Sequence, residues 1–424
     1  MSYSIAKLSD YYNRKLTIFN HYGIITSMRT INPLLKYIRK DIPGIFNEVD
    51  ILKKHKSRFF YALNGEKILP PLEILIHPSG RCNLRCSWCI GGWILEEKEK
   101  TKGIGVLPSL LSDPANMEKV IRGILDYTKD GFRVENVSFS GITGDPFLAK
   151  EAFIRAVNLL SENNVRIGVY SNTVLLDDEL INTLLKMNYI NVSLDAATPE
   201  TFVMLKYGGN SGGVKIFNNL IENITKLAQL RNNSKDSKLD INASFVLYPE
   251  NYKEIYDAAK LLKRIGIRIM RMKQDISGKM LLSKKQMTKA KELIKKVKNL
   301  EDDKFKFVTI HRLKTSSDMR RQFDECVISD LVTTIGSDGN VYPCNYQACL
   351  GNPVYGNAIK NSFADIWEGK TKMKIRRQLP KTCPTVCDPF NNRANRLFQG
   401  IKESQEKYGT KETEKFIQEI INLY

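Results

Sequence analysis

From residue 71 onward the chain alternates short runs of β-branched and apolar residues with longer stretches whose apolar positions recur at helical spacing. The short runs read as strands over Leu72–Ile76, Asn136–Ser140, Arg166–Tyr170, Tyr189–Leu194, Asp240–Leu247 and Ile267–Met272. Between them, Met117–Thr128, Lys150–Glu162, Asp178–Met187, Phe217–Arg231 and Tyr252–Ile265 read as amphipathic helices. Repeated βα units with right-handed crossovers build a parallel sheet or barrel, in which chemistry collects at the C-terminal strand ends. Functional residues should then follow each strand. Cys82 follows the first, Gly144-Asp145-Pro146 the second, Ser171-Asn172 the third and Asp195 the fourth.

Outside this repeat the pattern changes. Residues 1–70 are basic and mostly helical in pattern, broken by Pro33 and Pro43, and read as an extension or small cap. After about residue 310 a hairpin appears, Leu331–Ile335 and Asn340–Pro343 around Ser337-Asp338-Gly339, where Asp-Gly is a strong turn signal. The expected organisation is 1–70 helical extension, 71–310 α/β core, 311–390 small α+β module and 391–424 helical tail.

Composition narrows the setting. No apolar run reaches the roughly 18 residues that span a bilayer, and the N-terminus lacks a signal-peptide core, so a cytoplasmic protein with no membrane partner is expected. The net charge of +19 raises nucleic acid as a partner. The bases are diffuse, however, with 11 Lys/Arg against 4 Asp/Glu in residues 1–60 and 20 against 8 in 251–320, and no RNA-binding signature accompanies them. The stretch Ser283–Asp302 carries Met287, Ala290, Leu293, Ile294, Val297 and Leu300 on one face and lysines elsewhere, the pattern of a solvated amphipathic helix. Nucleic acid is not expected.

The eight cysteines are few for this length and clump at 82–89 and 326–387, which suggests metal or redox chemistry rather than a disulfide framework. In Cys82-Asn-Leu-Arg-Cys86-Ser-Trp-Cys89, three thiols at intervals of four and three can wrap three irons of a cubane and leave one iron open. A structural zinc would need a fourth ligand, for which His77 is the nearby candidate. The C-x3-C-x2-C spacing, with an aromatic before the last cysteine, resembles the signature of the radical S-adenosylmethionine (SAM) superfamily, over roughly residues 71–275. The resemblance implies a partial (βα)6 TIM-like barrel with a 4Fe–4S cluster on Cys82, Cys86 and Cys89, whose open iron is chelated by SAM. An electron from that cluster, supplied by a donor such as flavodoxin or ferredoxin, would cleave SAM to a 5′-deoxyadenosyl radical that takes a substrate hydrogen.

Further matches extend the resemblance. Thr143-Gly144-Asp145-Pro146 resembles the family's Gly-Gly-Glu-Pro loop, which contacts the SAM ammonium, with Asp in place of Glu and Thr in place of the first Gly. Ser171 and Asn172, and Ser193 and Asp195, resemble the polar strand ends that face the SAM ribose and carboxylate, although helix caps or Asx turns would use the same residues. Trp88 is expected near the adenine, and Arg271 is a candidate for a substrate or cofactor carboxylate.

The second cysteine set, Cys326, Cys344, Cys383 and Cys387, can by itself close four corners of a cluster or a zinc ion. Beside a radical SAM core, it resembles the opening of the SPASM module and, with fewer cysteines, the shortened twitch module. This implies one auxiliary 4Fe–4S cluster. Cys349 is left over, either a small buried hydrophobe or a hydrogen donor to the substrate radical. The expected reaction is oxidation or epimerisation of a polar carbohydrate or cyclitol metabolite. The alternative is maturation of a ribosomally made peptide by a crosslink or epimerisation, ahead of RNA modification.

Overall fold

The computed structural model of the protein describes residues 32–38, 48–65, 67–87, 89, 91, 107–141, 144–209, 212–275, 280–310, 321, 323–383 and 387–423. Its strands are β1 (Glu73–Ile76), β2 (Asn136–Phe139), β3 (Arg166–Ser171), β4 (Tyr189–Ser193), β5 (Asp240–Leu247), β6 (Ile269–Gln274), β7 (Lys306–Thr309), β8 (Val332–Ile335), β9 (Asn340–Tyr342) and β10 (Gly356–Asn357). They form one sheet in the order β10-β9-β8-β1-β2-β3-β4-β5-β6-β7. From β8 through β1 to β7 every pairing is parallel, and β9 and β10 add an antiparallel edge. The two edge strands do not pair with each other, so the sheet curves into a partial barrel, as expected.

The expected six core strands all form, and the sheet extends beyond them at both edges. β7 joins β6 with Phe307 opposite Met270, in a segment whose lysines hide its alternation. On the other side β8, the first strand of the C-terminal hairpin, pairs with β1, Glu73 opposite Val332 and Ile76 opposite Ile335. The hairpin therefore continues the core sheet.

The strand period of two divides the side chains sharply. Ile74, Ile76, Val137, Phe139, Ile167, Val169, Ile190, Val192, Ala243, Phe245, Met270 and Met272 belong to one apolar core with the surrounding helices. The alternate positions Glu73, Tyr170, Asn191, Ser193, Arg271 and Lys273 face a cavity instead. A closed TIM barrel fills its interior with branched apolar side chains. This one keeps a polar lumen.

A second core joins the two ends of the chain. Leu34, Leu52 and Phe59 pack with Leu397, Phe398, Ile401, Ile417 and Ile420, and the Phe59 and Phe398 rings stack 4.0 Å apart. Cys326, Val327 and Ile328 lie in the same cluster, with Cys383 and Cys387 packed against it. The N-terminal segment and the C-terminal helices, expected as separate ends, thus form one support under the second cysteine set. Among the described residues, no helix is long and apolar enough to cross a membrane.

Candidate functional site

The loop after β1 carries Cys82, Cys86 and Cys89 and is clasped from two sides. On one side the backbone N–H of Asp145 donates to the Arg81 carbonyl at 2.8 Å. There the chains come so close that a Cβ on Gly144 would lie 2.1 Å from the Ser79 oxygen, so this contact requires glycine. On the other side, the helix Pro199–Lys206 ends with carbonyls that lack helical partners. The Lys206 carbonyl accepts from Arg85 N and that of Leu205 from Ser87 N, both at 3.2 Å. All three cysteines line one cavity of about 480 Å³. Burial pushes the Cys86 thiol up to about 12 and the Cys82 thiol up as well, with Lys206 opposing both. A bound metal cation reverses that preference by favouring thiolate.

Of the residues expected around SAM, Gly144, Asp145, Ser171, Asn172, Ser193 and Asp195 all line this cavity. Trp88 and Thr143 lie outside the described residues. The Asp145 carboxylate is already engaged within the protein. It accepts from Phe147 N at 3.0 Å, from Ser171 Oγ at 3.0 Å on both oxygens and from Asn172 N at 2.8 Å. Burial raises its pKa, and these donors pull it back. Three donors thus share its two oxygens, the single Ser171 hydroxyl proton lying between them. Asp145 therefore joins the ends of β2 and β3 while lining the cavity in which contact with the SAM ammonium was expected. Asn172 in turn donates to Asn83 Oδ1 at 2.9 Å and reaches Cys82 Sγ at 3.7 Å.

Lys206 was not singled out in the sequence, because one lysine at a helix end makes no motif. Its ammonium pairs with Asp195 Oδ2 at 2.8 Å and also donates to the Ser193 carbonyl, with both ionic side chains buried. Asp195 adopts a left-handed φ of 57° and accepts from Val246 N at 2.7 Å. Deeper in the lumen, Arg271 Nη1 donates to Asn191 Oδ1 at 3.1 Å, and Asn191 donates to Ser244 Oγ at 2.7 Å. Glu73 accepts from Ser138, and burial raises its pKa.

The second set also assembles. The Cys387 thiol is raised first by burial and then by the fields of Cys344, Asp388, Cys326 and Cys383, and Cys326, Cys383 and Cys387 share the second apolar cluster. Two buried amides point at these sulfurs, Gln347 Nε2 at 3.3 Å from Cys383 and Asn395 Nδ2 at 3.4 Å from Cys326. Cys349, the thiol outside both sets, is buried on the helix Asn345–Leu350 with its Sγ 3.9 Å from the Gly91 carbonyl, and it is not among the residues that line the cavity. His77, the candidate fourth zinc ligand, lies 2.6 Å through Nε2 from Asn345 Oδ1. Among the described residues, no three His, Cys, Asp or Glu side chains converge on a single-ion site. A cubane takes one ligand on each iron, so its thiolates stand further apart, and two clusters of soft sulfur donors fit what is present.

Comparison with known families agrees with these two sites. Residues 76–262 match the model of the Radical SAM superfamily, and residues 326–389 match the SPASM model, described as an iron-sulfur cluster-binding domain. The chain carries a radical SAM domain followed by a SPASM domain. Its cofactors are accordingly SAM and a 4Fe–4S cluster in the first domain and auxiliary iron–sulfur in the second. A curated relative from Pyrococcus furiosus, the tungsten-containing aldehyde ferredoxin oxidoreductase cofactor-modifying protein, is 23% identical over 316 residues, 68% of this chain and 78% of its own. Among solved structures, Streptococcus suis SuiB bound to the precursor peptide SuiA is 16% identical with a TM-score of 0.52, covering 91% of this radical SAM chain and 83% of SuiB. Native anSMEcpe with bound AdoMet and Kp18Cys peptide is 18% identical with a TM-score of 0.51, covering 84% and 100%. These likenesses are of fold.

Proposed function

We propose that this radical SAM enzyme is a maturase that modifies a residue of a ribosomally made peptide or protein. The observation that carries the reading is the cavity, whose lining includes Cys82, Cys86 and Cys89 of the first set and Cys344 of the second. A residue held there lies between the two sites. The fold shared with SuiB and anSMEcpe, both solved with peptides bound, supports a peptide as the occupant ahead of the expected carbohydrate or cyclitol. With its cofactors bound, the first site supplies the 5′-deoxyadenosyl radical that removes a hydrogen atom from the substrate.

In this reading Cys82, Cys86 and Cys89 hold the catalytic cluster, and Cys326, Cys344, Cys383 and Cys387 the auxiliary one. Gly144 lets the SAM-facing loop approach the cysteine loop, and Asp145 acts as a positioning residue for it. Ser193 and Asp195, fixed by Lys206, present the end of β4 to the cofactor. Electrons come from an external carrier such as flavodoxin or ferredoxin.

The test is anaerobic incubation of reconstituted protein with SAM, reductant and either a pool of synthetic peptides or a panel of sugars and cyclitols. The reading predicts that peptides, and not polyols, stimulate 5′-deoxyadenosine release, with a SAM-dependent mass change in a subset of the pool. Stimulation by polyols alone would return the substrate to the carbohydrate class.

A further inference from the structure

The cavity's acids and bases are unequally matched. Each wall carboxylate already has internal donors. Asp145 takes three, Asp195 pairs with Lys206, Asp275 accepts from Met280 N at 2.9 Å, Asp388 accepts from Phe390 N and Asn391 N, and Glu73 accepts from Ser138. Lys273 differs. It lies on the inward face of β6, two residues beyond Arg271 and opposite Val246 of β5, and it lines the cavity. Its ammonium makes no hydrogen bond or ion pair among the described residues. Burial and the nearby Arg271 lower its pKa to about 8, while Asp195 and Asp388 act only from a distance to raise it.

A cation held in a partly desolvated wall without a counter-ion is costly, and the group that relieves it is an anion arriving from outside. SAM brings a carboxylate, but Lys206 already stands beside the cysteine loop, where its field reaches Cys82 and Cys86. Lys273 is on another strand, next to the polar lumen rather than the loop. We propose that Lys273 receives an Asp or Glu side chain of the peptide substrate, close to the residue that gives up its hydrogen. The inference rests on the peptide reading and adds to it that acidic sequences are selected.

The experiment pans short random peptides displayed on mRNA over immobilised, iron-loaded protein with SAM, using wild type, Lys273→Met and Lys273→Glu. Wild type is expected to enrich Asp or Glu at one position, by roughly thirtyfold over the input, the scale of a desolvated charge pair. Lys273→Met should lose that preference while keeping its iron and its SAM affinity by titration. Lys273→Glu should enrich Lys or Arg at the same position, a reversal that a merely structural lysine would not give. An unchanged acidic preference in both variants overturns the inference. So does a tenfold or greater loss of SAM affinity in Lys273→Met, which would place Lys273 in the cofactor site. Failure of every protein to enrich any peptide would overturn the peptide reading itself, and this inference with it.

Discussion

Gln347 donates its side-chain Nε2 to the Sγ of Cys383 at 3.3 Å from a fully buried position, while its Oε1 finds no partner among the described residues. Burying an amide with an orphaned oxygen is unfavourable. A sulfur that carries negative charge on a cluster gives the nitrogen a reason to be there.

Hydrogen bonds to ligand sulfurs stabilise the more negative, reduced state of a cluster and so raise its potential. Gln347→Leu and Asn395→Leu should therefore each lower the auxiliary potential. Together they should favour the oxidised form by roughly tenfold at a fixed poise, about 59 mV for a one-electron couple. Potentiometric EPR on protein lacking the catalytic triad would measure this. An unchanged potential with full iron would show that the amides only fill space.

Lys206 and Asp195 form a buried pair whose rupture leaves an uncompensated charge. Lys206→Met should destabilise the protein by about 3–5 kcal/mol, and adding Asp195→Asn should restore much of the loss. Asn still accepts from Val246 N and tolerates the left-handed backbone. Thermal midpoints of the three variants measure the coupling, and equal losses in single and double variants would argue against it.

His77 has a folded pKa of about 4, lowered from 6.5 by burial against the pull of Asn345. Its neutral form is the one folded in place, so stability is fully present above 6.5 and falls as pH drops toward 4. Relative to His77→Gln, wild type should lose about 1.4 kcal/mol between about pH 8 and about pH 5.5. Urea midpoints across that range measure it. Parallel curves would mean that His77 is free to protonate in the folded state.

Much of this architecture was legible in the chain, because outward strand positions are apolar at period two and the first three cysteines sit in one short loop. β5 falls on its expected bounds, Asp240–Leu247. β7 escaped because Lys304 and Lys306 interrupt Phe305 and Phe307, a pattern ordinary for an edge strand. The pairing of β8 with β1 joins segments far apart in sequence, and no local periodicity encodes such a register. Lys206 and Lys273 were invisible as motifs, since their meaning lies in what surrounds them. Cys349 was visible as a spare thiol, but its burial outside the cavity lining depends on how the Asn345–Leu350 helix turns.

Iron content is the most direct measure of the two sites. Seven cysteines in two sets should bind two cubanes, so anaerobically reconstituted wild type should carry about eight irons per chain, and the Cys82/Cys86/Cys89 triple Ala variant about four. Cys349→Ala should keep about eight, since that thiol lies outside both sets. Wild type that saturates near four irons, or a Cys349→Ala variant that falls to four, would contradict the assignment of the auxiliary cluster to Cys326, Cys344, Cys383 and Cys387.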